Sequence, residues 1–262
     1  MSTNTPTNTP AKRDKISAEA VFFEAFAGMG RLGPGSQAST LRAVEMVGRR
    51  GDALRILDVG CGNGVQTLLL TEAWPRATVT AVDNHQPFLD TLTREAVRRG
   101  YADRLNTVCV SMDALDFSDG SFDLIWSEGA IYIIGFERGI REWTRLLAPG
   151  GVLVCSEVCW LVDVPSPEVV AFWQAEYPEI APLPVQLAQI EAAGYRHHDH
   201  FVLPAADWHA YYNPLAANLE RLRAKYCAEP TAIEVIKTLQ HEIDLFRAHE
   251  TEYSYAFFVM GA

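Results

Sequence analysis

The chain is short of several things, and each shortage closes off a class of protein. Five cysteines in 262 residues, Cys61, Cys109, Cys155, Cys159 and Cys227, are too few and too scattered for a disulfide framework. Cys155 and Cys159 lack a second ligand pair at zinc-like spacing, so no metal is expected. Basic residues are outnumbered, 22 Lys and Arg against 33 Asp and Glu, for a net charge of −11. That balance excludes a general nucleic-acid binder, which needs a cationic phosphate track. Arg94, Arg98 and Arg99 cluster, but on the solvated face of one helix pattern. No apolar run is long enough to span a bilayer, and the opening fifteen residues, rich in Thr, Asn and Pro, read as a disordered tail and not a signal peptide. A cytoplasmic protein with no membrane partner is expected. No linker-like stretch or internal repeat interrupts Leu54 to Ala262, so 16–262 reads as one domain.

What is present is an alternation of strands and helices. Arg55–Val59 is an apolar run that ends at a glycine turn, followed by helical spacing over Asn63–Trp74. Strand patterns over Ala77–Val82, Leu105–Val110, Phe122–Trp126 and Val152–Val158 alternate with helices over Gln86–Arg99 and Glu137–Leu147. The first of these helices is closed by Gly100, the second by Pro149-Gly150-Gly151. Strands apolar on both faces, separated by helices, imply a parallel sheet covered on both sides. Later come helical patterns over Glu168–Tyr177 and Val185–Ala193, a sixth strand over Tyr195–Leu203, a mixed helical region over Ala205–His249, and a last β-rich run, Ser254–Met260. The run His197-His198-Asp199-His200 falls on the sixth strand. Alternating faces deny it three convergent metal ligands, and it reads as a polar strand face or edge.

The most informative segment is Asp58-Val59-Gly60-Cys61-Gly62-Asn63-Gly64, between the first strand and first helix, where an α/β sheet opens to a ligand. Glycines at alternate positions let the backbone turn tightly and approach a ligand closely, and the helix start offers free N–H groups to an anionic group. Val65 breaks the dinucleotide pattern G-x-G-x-x-G, no Gly-Lys-Ser/Thr follows for a phosphate loop, and no G-x-S-x-G elbow occurs. Asp83 ends the second strand, where a carboxylate accepts hydrogen bonds from ribose hydroxyls.

These residues, with Ser111-Met112-Asp113-Ala114 after the third strand, Phe122–Glu128 at the fourth and Leu147-Ala148-Pro149-Gly150-Gly151 before the fifth, resemble the class I S-adenosylmethionine-dependent methyltransferases. Gly33-Pro34-Gly35-Ser36, Trp126–Tyr132, Ile134–Gly139 and Tyr177-Pro178-Glu179-Ile180 look like a group of small bacterial methyltransferases. The resemblance implies a Rossmann-like seven-stranded sheet, mostly parallel with an antiparallel last strand, with helices on both faces. It also implies a helical cap from elements near 16–40, 160–184 and 205–249. It implies S-adenosylmethionine as cofactor and S-adenosylhomocysteine as product. Gly60, Gly62 and Gly64 would belong to the loop on the methionine part, with Asp58 orienting that end. Asp83 would hold the ribose, Met112, Asp113 and Ala114 the adenine, and Ser127 would face the amino group or sulfonium. Arg31 or Ser36 is placed near the cofactor carboxylate, Ser36 alternatively capping a helix.

Methyl transfer from a sulfonium needs alignment and exclusion of water, and a base only where the acceptor must lose a proton. Glu128 and Glu157, after strands four and five, are the candidate bases, Glu128 alternatively being a cap or cofactor contact. Tyr132 is placed to polarise a substrate or to pack. A small-molecule acceptor is expected, an amine being one candidate, held by an aromatic cap near Glu128 and Glu157. A protein or carrier-bound substrate, and a non-catalytic cofactor-binding module, are the competing readings. The Asn/Asp-Pro-Pro-aromatic turn of nucleic-acid amino methyltransferases is replaced by Ser127-Glu128-Gly129-Ala130.

Overall fold

A computed structural model describes residues 16–48 and 53–262, so the expected tail over 1–15 lies outside the described residues. Two helices come first, α1 (Ala18–Ala25) and α2 (Gln37–Val47). The alternation read from the sequence then follows: β1 (Arg55–Val59), α3 (Val65–Ala73), β2 (Thr78–Asp83), α4 (Gln86–Arg99), β3 (Leu105–Cys109), β4 (Phe122–Ser127), α5 (Phe136–Trp143) and β5 (Leu147–Trp160). The second half contains α6 (Pro167–Glu176), the two-residue strand β6 (Ala181–Pro182), α7 (Leu183–Ala192), β7 (Arg196–Val202), α8 (Ala205–Lys225), α9 (Pro230–His249) and β8 (Tyr253–Gly261).

The strands form one sheet in the order β3-β2-β1-β4-β5-β8-β7, with β6 beside β5. β1 to β5 are mutually parallel where they pair, and β8 runs antiparallel to both β5 and β7. Because successive side chains alternate across a strand, Ile56, Leu124, Val154 and Phe257 pack on one face with α2, α3, α8 and α9. Leu57, Ile125, Cys155 and Phe258 pack on the other with α5 and α7. The seven long strands, the antiparallel C-terminal strand and the helices on both faces agree with the fold the resemblance implied.

One local reading is corrected, one is sharpened and one is kept. The segment Leu147-Ala148-Pro149-Gly150-Gly151 does not end a helix: α5 stops at Trp143, a short 3₁₀ turn follows, and β5 begins at Leu147. Phe122 pairs with Leu147 and Leu124 with Val152, so these residues bulge out of the ladder, with Gly150 at a positive φ of 73°. The mixed region after β7 is two long helices, and α8 carries Pro214 inside it. The histidine-containing run lies on β7, at the edge of the sheet, with a register shift between His197 and Asp199.

This strand order reverses direction between β1 and β4. Ligands of open α/β sheets bind in the crevice outside the carboxyl ends of the strands at such a reversal. The glycine loop after β1 and the turn after β4 both arrive there.

Candidate functional site

A cleft of about 330 Å³ opens at this reversal. Its floor is the loop after β1, its sides are the ends of β2 and β4, and its roof is the N-terminal segment between α1 and α2. Gly60 shows why the loop is bare backbone. Its φ is 71°, and an added Cβ would stand 2.5 Å from the Cβ of Ala130 and 3.3 Å from Met112 Cε. A side chain there is strained by the backbone and blocked by the opposite wall.

Asp83 is held rigidly at the end of β2. Its Oδ2 accepts from Gly62 N–H at 2.9 Å and its Oδ1 from His85 N–H at 2.9 Å. A carboxylate so fixed keeps its remaining lone pairs for hydroxyl donors in the cleft. His85, half-buried beside it, stacks on Phe23 with ring centroids 4.0 Å apart and planes 9° apart. Asn63 donates to the carbonyls of Met29 and Gly30 at 3.0 Å each, which ties the glycine loop to the roof.

Glu128 directly follows β4 and faces the cleft. Its carboxylate accepts from Arg31 Nη1 at 2.8 Å, Thr40 Oγ1 at 2.9 Å and Trp126 Nε1 at 2.9 Å. The side chains of Arg31 and Glu128 are only 15% and 6% exposed, so this is a buried ion pair with its hydrogen bonds supplied. Tyr132 follows on the 3₁₀ turn Ile131–Ile134 and packs edge-on against Tyr177. Burial, and then the fields of Glu242, Glu157 and Glu176, push its phenol upward, so it stands as an O–H donor and not a phenolate.

The structure brings together Gly60, Gly62, Asp83, Met112, Glu128 and Tyr132 on the cleft, as the sequence suggested. Arg31 joins them, while Ser36 caps α2, accepting from Ser39 N–H at 3.1 Å. Five expected cofactor residues do not line it. Asp58 is wholly buried beneath the loop, where it accepts from Thr67 Oγ1 on α3. Desolvation raises its carboxyl to about 7, against the opposing hydrogen bond from Thr67. Gly64 starts α3 at a φ of 83°, and an added Cβ would collide with Leu92, so it serves helix packing. Asp113 and Ala114 are exposed outside the cleft, and Asp113 pairs with Arg138 at 2.8 Å. Ser127 is buried, with its Oγ unpaired.

Glu157 is the largest departure. It projects from β5 to a fully buried position and lines neither the cleft nor its extension. Burial drives its carboxyl well upward despite an opposing interaction with Tyr177. The aromatic residues expected around it instead enclose a second cavity of about 160 Å³, whose carboxylates are Glu176 and Glu242. Leu32, Gly33, Pro34, Gly129 and Tyr132 line both spaces, making them contiguous. Sequence carried a signal for Glu176, three and four residues beyond Trp173 and Phe172 and thus on their helix face. It carried none for Glu242, which only the packing of α9 brings there.

Residues 56–151 match the family model described as a methyltransferase domain. A solved S-adenosylmethionine-dependent methyltransferase from Geobacter sulfurreducens, in complex with S-adenosyl-L-homocysteine, superposes with a TM-score of 0.79 at 21% identity, covering 92% of this chain and 96% of that one. Over residues 56–151 the chain carries a methyltransferase domain, and its fold is that of solved S-adenosylmethionine-dependent methyltransferases. A putative sarcosine dimethylglycine methyltransferase from Galdieria sulphuraria shares the fold, with a TM-score of 0.73 at 16% identity over 93% of this chain and 97% of that one. Among curated relatives, a malonyl-[acyl-carrier protein] O-methyltransferase of Herminiimonas arsenicoxydans is 32% identical over 141 residues, 54% of this chain and 48% of the relative. The chain spans about half the length, or less, of the first curated relatives it matches. The cleft's bare loop and fixed Asp83 suit the adenosyl and methionine parts of S-adenosylmethionine. Among the described residues, no helix is long and apolar enough to cross a membrane.

Proposed function

We propose that this protein transfers a methyl group from S-adenosylmethionine to a small-molecule acceptor and releases S-adenosylhomocysteine. The observation that carries the reading is the continuity of the cleft with the aromatic cavity, which gives donor and acceptor adjoining compartments. Such juxtaposition replaces a bimolecular encounter by one within a complex.

When bound, the cofactor supplies an electrophilic methyl on sulfur, taken by an acceptor lone pair while the carbon–sulfur electron pair stays on sulfur. This chain's residues align and shield. Gly60 and Gly62 present backbone to the methionine part, Asp83 receives the ribose hydroxyls, and Met112 lies against the adenine. Arg31 offers its charge to the carboxylate. Tyr132, between the two spaces, orients the acceptor through its O–H. Glu128 acts as a positioning residue, engaged by a cation and two further donors. Its work is to hold Arg31 and the roof over the cleft.

Incubating the purified protein with the cofactor and a broad panel of small molecules, while measuring S-adenosylhomocysteine, tests the proposal. Release stimulated by a free small molecule supports it. A carrier-bound acceptor is the second reading, favoured by the malonyl-[acyl-carrier protein] relative. Release seen only with acyl-carrier-protein thioesters would replace the first reading by that one. Cofactor binding without turnover in either panel would leave a binding module.

A further inference from the structure

The aromatic cavity holds an excess of negative charge with no protein cation to meet it. Glu242 enters from α9. It lies deep in the protein yet keeps partial exposure, which the cavity accounts for. Tyr212 donates to its Oε1 at 2.8 Å, and no Lys, Arg or His among the described residues forms an ion pair with it. Glu176 stands at the rim on α6, also without a cationic partner among the described residues. Trp173, Trp208, Tyr211 and Tyr255 supply aromatic surface to the wall. Trp173 carries an additional sign of an incomplete site, since its buried indole N–H has no acceptor.

A buried acid is ordinarily paired or neutralised. Here the uncompensated field is felt across the cavity: after burial, Glu242 is the next cause raising the phenols of Tyr132, Tyr211 and Tyr212. Burial raises Glu242 itself, and Glu176 adds to the effect. Every one of these groups would be relieved by one positive charge placed among them. Aromatic faces attract the same charge through their quadrupoles, most strongly where water is excluded. An anionic or carrier-phosphate ligand meets the opposite conditions, because two carboxylates repel it and no cation greets it.

We propose that this cavity is the acceptor site for a small amine bound as its ammonium ion, with Glu242 as the deep counter-charge, Glu176 at the rim and Trp173 and Tyr211 as the aromatic walls. The inference rests on the methyltransferase reading, since Tyr132 and Gly129 make the cavity the continuation of the cofactor cleft. It moves the amine contact from Glu128 and Glu157, where sequence alone put it, to two acids from helices of the cap. Glu242 is also a receiver for the proton that a primary or secondary ammonium must lose before its nitrogen lone pair is free. A tertiary amine needs no such step.

The test is calorimetric. Protein saturated with S-adenosylhomocysteine is titrated with choline and, separately, with its uncharged isostere 3,3-dimethylbutan-1-ol. Choline is expected to bind at least tenfold more tightly than the isostere. The E242Q variant should lose at least tenfold of choline affinity, with S-adenosylhomocysteine affinity held within twofold because Glu242 does not line the cofactor cleft. E176Q, at the exposed rim, should lose about threefold and serves if E242Q fails to fold. Equal or tighter binding of the isostere, choline affinity indifferent to both substitutions, or no binding of either probe to a cofactor-loaded protein would overturn the proposal. Failure of S-adenosylhomocysteine itself to bind would instead overturn the methyltransferase reading beneath it.

Discussion

Arg31 and Glu128 are 97 positions apart in the chain and 2.8 Å apart in space, joining the segment before α2 to the end of β4 across the mouth of the cleft. The pair is nearly buried, and Thr40 bridges it by donating to Glu128 while accepting from Arg31 Nη2 at 2.7 Å. The roof is thereby clamped to the sheet.

Breaking one side of this clamp leaves a buried charge without its partner, which costs about 3–5 kcal/mol. R31M should therefore lower stability by about that amount in urea titrations. It should also weaken S-adenosylhomocysteine binding by at least tenfold in calorimetry. The double variant R31M/E128M should recover most of the stability but not the binding. Equal stability of R31M and wild type would remove the clamp from the account.

Asp83 and Asp113 separate the carboxylate that lines the cleft from the one that does not. Charge-assisted hydrogen bonds are worth about 1.5–3 kcal/mol, so D83A should weaken S-adenosylhomocysteine binding by roughly tenfold to a hundredfold. D113N, on a side chain turned outward to Arg138, should change it by less than about threefold. Calorimetric titration of both variants checks the contrast, and a larger loss for D113N would restore that residue to the adenine site.

Two glycines with nearly the same φ should behave differently. Gly60 and Gly100 have φ values of 71° and 75°, but only Gly60 faces a wall; an added Cβ at Gly100 meets nothing within 4 Å. G100A should cost about 1 kcal/mol of stability, the usual penalty for a left-handed non-glycine residue. Cofactor binding should be intact. G60A should abolish binding as measured by calorimetry, since the strand end and Ala130 cannot both stay in place.

The buried acid Asp58 gives the unliganded protein an uncommon pH response. Its carboxyl is at about 7 when folded against 3.8 ordinarily. Between those values the folded chain keeps a proton that the unfolded chain has lost, so this group makes stability fall as pH rises from about 4 to about 7. At about 1.36 kcal/mol per unit, the loss is about 4 kcal/mol by pH 8. D58N, neutral throughout and still able to accept from Thr67, should flatten that slope and be the more stable protein at pH 8. Denaturant titrations across the range check it, and parallel slopes for the two proteins would refute it.

The strand–helix alternation from Arg55 to Trp126 was legible because period and punctuation agree: RILDV is mostly apolar and runs into Gly60, and Gln86–Arg99 is bounded by Gly100. The Leu147-Ala148-Pro149-Gly150-Gly151 segment misled because proline and glycine mark a bulge as readily as a helix end, and only the pairing partner on β4 distinguishes them. At the site, glycine spacing and strand-end acids located the cleft. Which acids face it depends on tertiary packing: Asp58 and Glu157 are buried on their strands and do not line the cleft. Glu242 was invisible because nothing in the sequence of α9 says which helix turn will close over a cavity begun by β4.

β8 lies between β5 and β7 with all nine of its residues buried, although it is the last strand in chain order. Until Tyr253 to Gly261 have left the ribosome, β5 has an open flank and β7 has no strand to join. The middle of the sheet is thus a slot waiting for a late insert, and assembly depends on contacts of long sequence separation, which form slowly. A nascent chain paused before that point would expose the unpaired edge of β5 to other chains, so the interval before β8 emerges carries an aggregation risk.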